Sequence, residues 1–213
     1  QFDLDWWKGV RAEYEAEGEL DLFYQEFQNQ IRPGNPTFSH SLLQSYEDYK
    51  IERDGTVLVK ASAEEDYVPV DCYLGVDSST RESERADWCV LMPIGVDSAG
   101  RIFQLPFVRE RFGKDIHRIV SAIFELHKRF RFKVVGVEAV QAQVYIAGEL
   151  RRQMQERRAY FGIKELTSNR GKDDKIYSLQ PRFGSKKLFL HPTESEHLRH
   201  ELINFPRARH DDC

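Results

Sequence analysis

The chain of 213 residues contains few cysteines and no long apolar run. Its three cysteines form no CxxC pair and are odd in number, which argues against a disulfide framework or structural zinc site and favours a reducing compartment. No stretch approaches the roughly 18 apolar residues of a membrane span. A hydrophobic content of 40% and an aromatic content of 12% argue against disorder. We therefore expect a globular protein with a buried core.

Several signatures of nucleotide binding and hydrolysis are also missing from the sequence. There is no GxxxxGK[ST] motif, which argues against a P-loop ATPase, and no HExxH, GxSxG or GxGxxG motif. The chain begins at Gln1, and no charged segment followed by an apolar one comes next. We therefore expect an internal or processed fragment and not a preprotein.

The chain has a net charge of −4, and this charge is distributed unevenly along the sequence. Residues 1–70 carry a net charge of −9, whereas residues 71–213 carry +5. Only the second part would attract a polyanion such as a nucleic acid. The two parts are expected to have different roles.

Residues 1–70 show mainly helical patterns. Apolar residues at helical spacing predict three helices, and the third is carried by Phe38, Leu42, Tyr46 and Tyr49. A turn at 54–55 then leads into a short strand at 56–59.

From residue 71 onward the pattern changes to strands. Three strands, at 73–77, 87–96 and 101–109, are joined by short links and predict an antiparallel meander. Pro93 indicates an edge or a bulge in the second strand. The remaining predicted elements are helix 116–127, strand 132–139, helix 141–158, strand 162–166, strand 188–190 and a helix opened by a capping box at 193–196. This order predicts an α/β fold in which a mixed sheet is flanked by helices.

Two predicted strands end in the same way, with Gly-Val-Asp at 75–77 and Gly-Val-Glu at 136–138. Side chains alternate along a strand, so each acid shares a face with a glycine that leaves open space beside it. If the strands are parallel neighbours, Asp77 and Glu138 emerge together at the carboxyl end of the sheet, where such sheets bind ligands. Mg²⁺ or Mn²⁺ would relieve the repulsion between the two carboxylates. The alternative is that each acid merely begins a turn.

A further acidic cluster, His210-Asp211-Asp212, closes the chain. Three acids from two strands and a late helix could hold two divalent ions, which clamp the attacking and leaving oxygens of a phosphodiester. His210 could be another ligand or a proton carrier. A solvated terminus is the alternative. By contrast, Asp97 precedes Ser-Ala-Gly and is interpreted as a turn residue.

Positive charge gathers between the predicted fifth strand and the last helix. The residues are Lys164, Arg170, Lys172, Lys175, Arg182, Lys186 and Lys187. Flexible basic loops suit a phosphate backbone and carry no sequence information, although a solvated surface explains them equally well.

Taken in order, these motifs resemble the C-terminal nuclease domain of the large terminase subunit of tailed bacteriophages. The resemblance is carried by Trp6-Trp7 with residues 23–29, by residues 75–78, by Val137-Glu138, by the 172–184 segment and by Phe205-Pro206 with His210-Asp211-Asp212.

The resemblance implies an RNase H-like fold and metal-dependent cleavage of concatemeric double-stranded viral DNA during genome packaging. It implies a metal and catalytic triad of Asp77, Glu138 and Asp212, with Asp211 as the alternative third member, holding two Mg²⁺ or Mn²⁺ ions bridged by Asp77. The DNA-binding residues predicted from the basic segment are Arg170, Lys172, Lys175, Arg182, Lys186 and Lys187, and the resemblance covers Lys172 and Lys175 among them.

It also implies partners and a location. Residues 1–70 would be a helical segment leading out of an ATPase domain of the same polypeptide, and residues 71–213 would be the nuclease domain. The portal and the small terminase subunit would be further partners, and the host cytoplasm the location. The alternatives are another RNase H-like nuclease, such as a junction resolvase or transposase core, and a non-catalytic docking module of the packaging motor.

Overall fold

The computed structural model describes residues 37–78, 88–113, 115–138, 143–167 and 171–205, together with the single positions 9 and 12. The chain divides into two compact units, Gln1–Thr37 and Phe38–Cys213, and every element described below belongs to the second. The two helices predicted before residue 37 lie outside the described residues.

One mixed sheet organises the second unit, and its central strand is β3. The strands are β1 Asp48–Ile51, β2 Val57–Lys60, β3 Val68–Ser78, β4 Cys89–Val96, β5 Ile102–Gln104, β6 Val108–Glu110, β7 Val134–Glu138, β8 Gly162–Leu166 and β9 Leu188–Phe189. Strand β2 pairs antiparallel with both β1 and β3. Strand β4 pairs antiparallel with β3, β5 and β6. Strand β7 runs parallel to β3 and β8, and β9 runs parallel to β5.

Five helices accompany the sheet in the described residues of this unit. They are α1 Ile116–Phe130, α2 Gln143–Arg157, α3 Lys172–Tyr177, α4 Gln180–Gly184 and α5 Glu196–Asn204. Local chemistry sets both ends of α1. Asp115 accepts a hydrogen bond from the Arg118 N–H at 3.1 Å, and Arg131 ends the helix in the left-handed conformation, with φ of 47°. Among the described helices, none has the length and apolarity needed to cross a bilayer.

The two faces of the sheet pack against different helices. Alternation along β3 places Leu74 and Val76 on one face, where they join the main hydrophobic core with Ile123 of α1 and Leu150 of α2. A smaller hydrophobic cluster brings α4 and α5 together with the segment before β1. Its members are Phe38, Leu43, Phe183, Leu190, Leu202 and Phe205. The predicted mixed α/β sheet flanked by helices is confirmed.

The helix predicted over residues 38–49 is wrong. Residues 40–42 form a turn, and Tyr49 lies in β1. The aromatic spacing reflects burial at two separate places: Phe38 packs edge-on against Phe183 at 5.9 Å, and Tyr46 packs edge-on against Phe103 at 5.9 Å. Residues 38–70 thus contain β1, β2 and the start of β3. The predicted turn at 54–55 and short strand at 56–59 are confirmed by the turn before β2 and by β2 itself, whereas the helical pattern predicted up to residue 49 is wrong after residue 37.

The third strand of the predicted meander is split into β5 and β6. Pro106 lies in the break and has no N–H to donate to the ladder. Of the edge or bulge predicted from Pro93, the edge is wrong, because β4 pairs on both sides. The bulge is confirmed in the ladder beside it, because two residues of β4, 92–93, lie opposite three residues, 105–107, between the pairs Leu91–Val108 and Ile94–Gln104. The Pro93 carbonyl accepts from the Leu105 N–H at 3.0 Å, so the proline nitrogen also faces the interruption between β5 and β6. No ladder hydrogen bond is lost there.

The capping box predicted at 193–196 is also wrong. The N-cap residue is Ser195, whose hydroxyl donates to the His191 carbonyl at 2.5 Å and makes no capping bond. Instead, Nδ1 of His191 accepts the N–H groups of Thr193 and Glu194 at 3.2 and 3.0 Å. A buried histidine therefore organises the turn that leads into α5.

Candidate functional site

The two acid-ending strands are parallel neighbours, as predicted. Gly75 pairs with Gly136 and Val76 pairs with Val137. Asp77 and Glu138 follow at the next position of the same register, so both carboxylates emerge at the carboxyl ends of β3 and β7. The sheet therefore brings together two acids that are 61 positions apart in the sequence.

The open space predicted beside these acids exists at only one of the two glycines. A Cβ at Gly75 would come no nearer than 3.8 Å to the Met92 carbonyl oxygen, so this position is open. A Cβ at Gly136 would meet Cδ1 of Leu166 at 2.8 Å. Strand β8 pairs with β7 and its last residue covers Gly136, so the prediction of open space there is wrong.

A cavity of roughly 530 Å³ adjoins both carboxylates. Its wall on the sheet side includes Val90, Met92 and Ile94 of β4, which share the face of Asp77. Its wall on the helix side is provided by Leu179, Phe183, Leu198 and Leu202. The acids thus lie beside an apolar space between the sheet and the helices α3, α4 and α5.

Lys175 of α3 reaches the site directly. Its Nζ donates to Oε1 of Glu138 at 2.6 Å, and the lysine and glutamate side chains are 41% and 37% exposed. The ammonium neutralises one of the two acids while leaving it accessible to water. Sequence reasoning placed Lys175 among the DNA-binding residues and missed this ion pair, because no local spacing relates positions 138 and 175.

The two buried cysteines, Cys72 and Cys89, belong to the main hydrophobic core. Burial raises the pKa of Cys72 to about 12, and the charge of Asp71 acts in the same direction. Burial raises the pKa of Cys89 to about 12 as well, with further contributions from the charges of Asp77 and Glu110. Both thiols are free, and neither is an activated nucleophile at neutral pH.

The remaining predicted ligands cannot be placed. His210, Asp211 and Asp212 lie outside the described residues, as does Arg170. Within the part of the chain that the structure describes, no three His, Cys, Asp or Glu side chains form a group that could hold a metal ion. The third ligand and the complete triad stay predictions.

The basic segment predicted as flexible loops forms two short helices, α3 and α4, over much of its length. Lys172, Arg182, Lys186 and Lys187 are exposed. The Lys187 carbonyl accepts from Ile102, which pairs with Val96 at the end of the sheet away from Asp77. The structure therefore brings Lys175 to the carboxylates and leaves Lys186 and Lys187 at the opposite end. DNA contact by these residues stays a prediction.

Asp97 has the turn role that was predicted. Its Oδ1 accepts the N–H groups of Ala99 and Arg101 at 3.0 and 2.8 Å, and its Oδ2 accepts from Nε of Arg101 at 2.7 Å. Every one of these bonds lies within the hairpin that joins β4 to β5. Asp97 is therefore separate from the carboxylate pair.

No protein-family model and no curated protein matches the sequence. Solved structures do match. The large terminase nuclease of the thermophilic phage G20c with bound magnesium has a TM-score of 0.54 at 19% identity, covering 81% of this chain and 82% of that one. The large terminase nuclease domain of Thermus phage P74-26 has a TM-score of 0.52 at 19% identity, with coverage of 83% and 82%.

A herpesvirus structure shares the same architecture. The manganese-soaked, inhibitor-bound terminase nuclease domain of human cytomegalovirus has a TM-score of 0.51 at 14% identity, covering 81% of this chain and 87% of that one. At these identities the comparisons establish the fold. The chain has the fold of large terminase nuclease domains, and the predicted RNase H-like class is confirmed.

Proposed function

We propose that this chain is a divalent-metal-dependent DNA endonuclease that cuts concatemeric double-stranded viral DNA during genome packaging. One observation carries the proposal: Asp77 and Glu138 emerge side by side from parallel strands of a sheet with the terminase nuclease fold. The magnesium and manganese in the similar structures support a metal-dependent hydrolysis.

The residues present fit Mg²⁺ or Mn²⁺. Both ions prefer carboxylate oxygens, which Asp77 and Glu138 supply. Glu138 already contacts one cation, the Lys175 ammonium at 2.6 Å, so its carboxylate faces a position that a positive charge can occupy. In the proposal, Asp77, Glu138 and Asp212 would hold two ions. Asp211 is the alternative to Asp212, and His210 is a possible further ligand.

When bound, the ions would supply polarisation of the phosphodiester and a nucleophile at neutral pH. The chain's own residues hold the ions and the substrate. Glu138 would hold a metal ion, and Lys175, whose Nζ lies 2.6 Å from Oε1 of Glu138, would contact the DNA backbone beside it. In the same proposal Arg170, Lys172 and Arg182 also contact the DNA backbone, and Lys186 and Lys187, at the opposite end of the sheet, contact it away from the carboxylates.

The biological setting of the proposal follows from the resemblance to terminases. The DNA would be delivered by an ATPase domain of the same polypeptide, with the portal and the small terminase subunit as further partners. Cleavage would take place in the host cytoplasm.

Plasmid nicking tests the proposal. The chain is incubated with supercoiled DNA in the presence of Mn²⁺, Mg²⁺ or a chelator. The same assay is then run on the longer polypeptide that also carries the proposed ATPase domain. We expect cleavage only with a metal ion, and we expect Asp77→Asn and Glu138→Gln to abolish it while circular dichroism stays unchanged. The matched control is Glu125→Gln, which removes a carboxylate that is 65% exposed on α1. Its cleavage should equal that of the unmodified chain.

Cleavage retained by Asp77→Asn would remove this residue from the mechanism. Cleavage confined to branched substrates would favour a junction resolvase. A full polypeptide that neither binds Mn²⁺ nor nicks DNA would favour a docking module.

A further inference from the structure

Arg109 lies in the same row of the sheet as Asp77. Asp77 pairs with Val90, and Val90 pairs with Arg109 on its other side. Directly paired residues share a face, so the arginine and the aspartate project from the same side of the sheet. Neighbouring strands are about 4.8 Å apart, which places the two backbones roughly 10 Å from one another.

Two arginines converge on one indole at this end of the sheet. The guanidinium carbons of Arg109 and Arg111 lie 4.8 and 4.6 Å from the ring centroid of Trp88. We call these three residues the Trp88 platform. Trp88 directly precedes β4, whose first residue pairs with Ser78, the neighbour of Asp77. The platform thus lies at the carboxyl end of β3, where the site is.

Arg109 connects the Trp88 platform to helix α5. Arg109 is only 17% exposed, and its guanidinium approaches Glu201 of α5 at 3.5 Å. Its Nε is buried and has no hydrogen-bond partner among the described residues. Arg111, by contrast, is exposed. Stacking on an aromatic ring fixes the orientation of a guanidinium, which leaves Arg111 ready to bind an anion at little cost in side-chain entropy.

The surroundings limit where an anion can bind. A cleft of roughly 480 Å³ separates Trp88 and Arg109 from the segment that begins α5. Glu194 and Glu196 line its far wall and would repel phosphate. The anion therefore approaches from the side of Arg111.

We propose that the Trp88 platform is a second DNA contact, which binds backbone phosphates on the β4–β6 side of Asp77. Lys175 lies on the other side of Asp77, next to Glu138 on β7. A DNA backbone crossing the carboxyl end of the sheet would then meet positive charge on both sides of the carboxylates. Such contacts position a duplex without reading its sequence. This inference rests on the proposed nuclease function.

Tryptophan fluorescence tests the platform directly. The chain has three tryptophans, so Trp6→Phe with Trp7→Phe leaves Trp88 as the only reporter. These changes are made in the Asp77→Asn chain to prevent cleavage, and a linear duplex is added while anisotropy of the labelled DNA reports binding. We expect Trp88 emission to change with the same midpoint as the anisotropy. Unchanged emission at saturating DNA would overturn the inference.

A charge variant gives a second readout. Arg111→Ala should weaken duplex binding about eightfold at 0.1 M salt and lower the slope of log K against log salt by about 0.9, the value for one phosphate contact. The matched control is Arg129→Ala, whose guanidinium lies 4.9 Å from the Phe130 ring centroid at the far end of the sheet. Equal affinities and slopes for the two variants would contradict the platform.

The two proposals fail in different ways. If Asp77→Asn abolishes cleavage while Arg111→Ala binds DNA like the unmodified chain, the nuclease stands and the platform is wrong. If Trp88 responds to DNA but no metal ion supports cleavage, the platform stands as a DNA contact and the nuclease assignment is wrong.

Discussion

The sheet is covered on one face by α1 and α2 and on the other by α3, α4 and α5, and we call these the packed face and the site face. Under the packed face, Ile123, Phe124 and Leu150 are almost completely buried and join one continuous core. On the site face, the side chains leave a cavity of roughly 530 Å³ beside Asp77 and Glu138. The comparison shows that a continuous core fills one side of the strands, whereas the other side leaves an open space beside the two acids.

Helix length explains part of this difference. The helices of the packed face have 15 residues each, whereas α3, α4 and α5 have 6, 5 and 9. Short helices are marginal by themselves and depend on tertiary contacts. Aromatic edge contacts supply them, with Phe38 lying 5.9 Å from Phe183 and 6.4 Å from Phe205.

The largest expected effect is the loss of an aromatic ring from the packed face. Phe124→Ala should lower the free energy of unfolding by about 3–5 kcal/mol, because the surrounding core cannot collapse into the space. Phe183→Ala on the site face should cost less, since one side of that ring already borders the cavity. Urea unfolding measures both, with Tyr160→Ala, at a residue 66% exposed, as control. Equal costs for the two phenylalanines would break the comparison.

A smaller effect of opposite sign distinguishes the faces when a side chain is enlarged. Ile123→Phe on the packed face should cost about 1–3 kcal/mol, because a filled core has no room for the ring. Leu198→Phe should instead raise the free energy of unfolding by about 0.5–1 kcal/mol by filling the cavity. Thermal and urea unfolding give the two signs. If Leu198→Phe destabilises the protein as much as Ile123→Phe does, the cavity does not accommodate the larger side chain.

The smallest effect concerns pH, because two histidines that pack against aromatic rings of the main hydrophobic core have a lowered pKa. Burial lowers the pKa of His127 under α1, and the charge of Arg131 adds to this. Burial also lowers the pKa of His191, whose ring packs against Tyr46 and Tyr49, and there Arg129 adds to the effect while Glu194 opposes it. The unfolded chain therefore binds more protons, so stability should be complete above about pH 6.5 and fall as the pH drops below it.

Urea titrations at pH 7.5 and 5.5 measure this loss, and His127→Gln should reduce it. The His191→Gln variant measures the contribution of His191 to this loss of stability. Protonation of Nδ1 of His191 would break the two hydrogen bonds that it accepts from the N–H groups of Thr193 and Glu194. Equal stability at the two pH values would contradict the assignment of neutral histidines.

Local patterns predicted the elements whose burial follows a simple period. The apolar stripe of α1 and the two glycine–valine–acid strand ends are examples, and the parallel register of β3 and β7 confirmed the second. The same reasoning failed where burial came from distant partners. Phe38 and Tyr46 have helical spacing but belong to two different hydrophobic clusters. The turn before α5 is stabilised by Nδ1 of His191 and not by a capping box.

The site shows the same division. The pairing of Asp77 with Glu138 was predictable because side-chain alternation and strand direction are properties of short segments. Neither the ion pair of Lys175 with Glu138 nor the stacking of Arg109 and Arg111 on Trp88 had any local signature, because each joins separate elements.

The acids at the two strand ends could be located from the sequence, because local backbone geometry sets which face a side chain takes. The cations beside those acids and the apolar cavity that adjoins them could not be located in this way. These features arise when non-neighbouring elements pack, and packing energy depends on complementary shape and charge that no single segment contains.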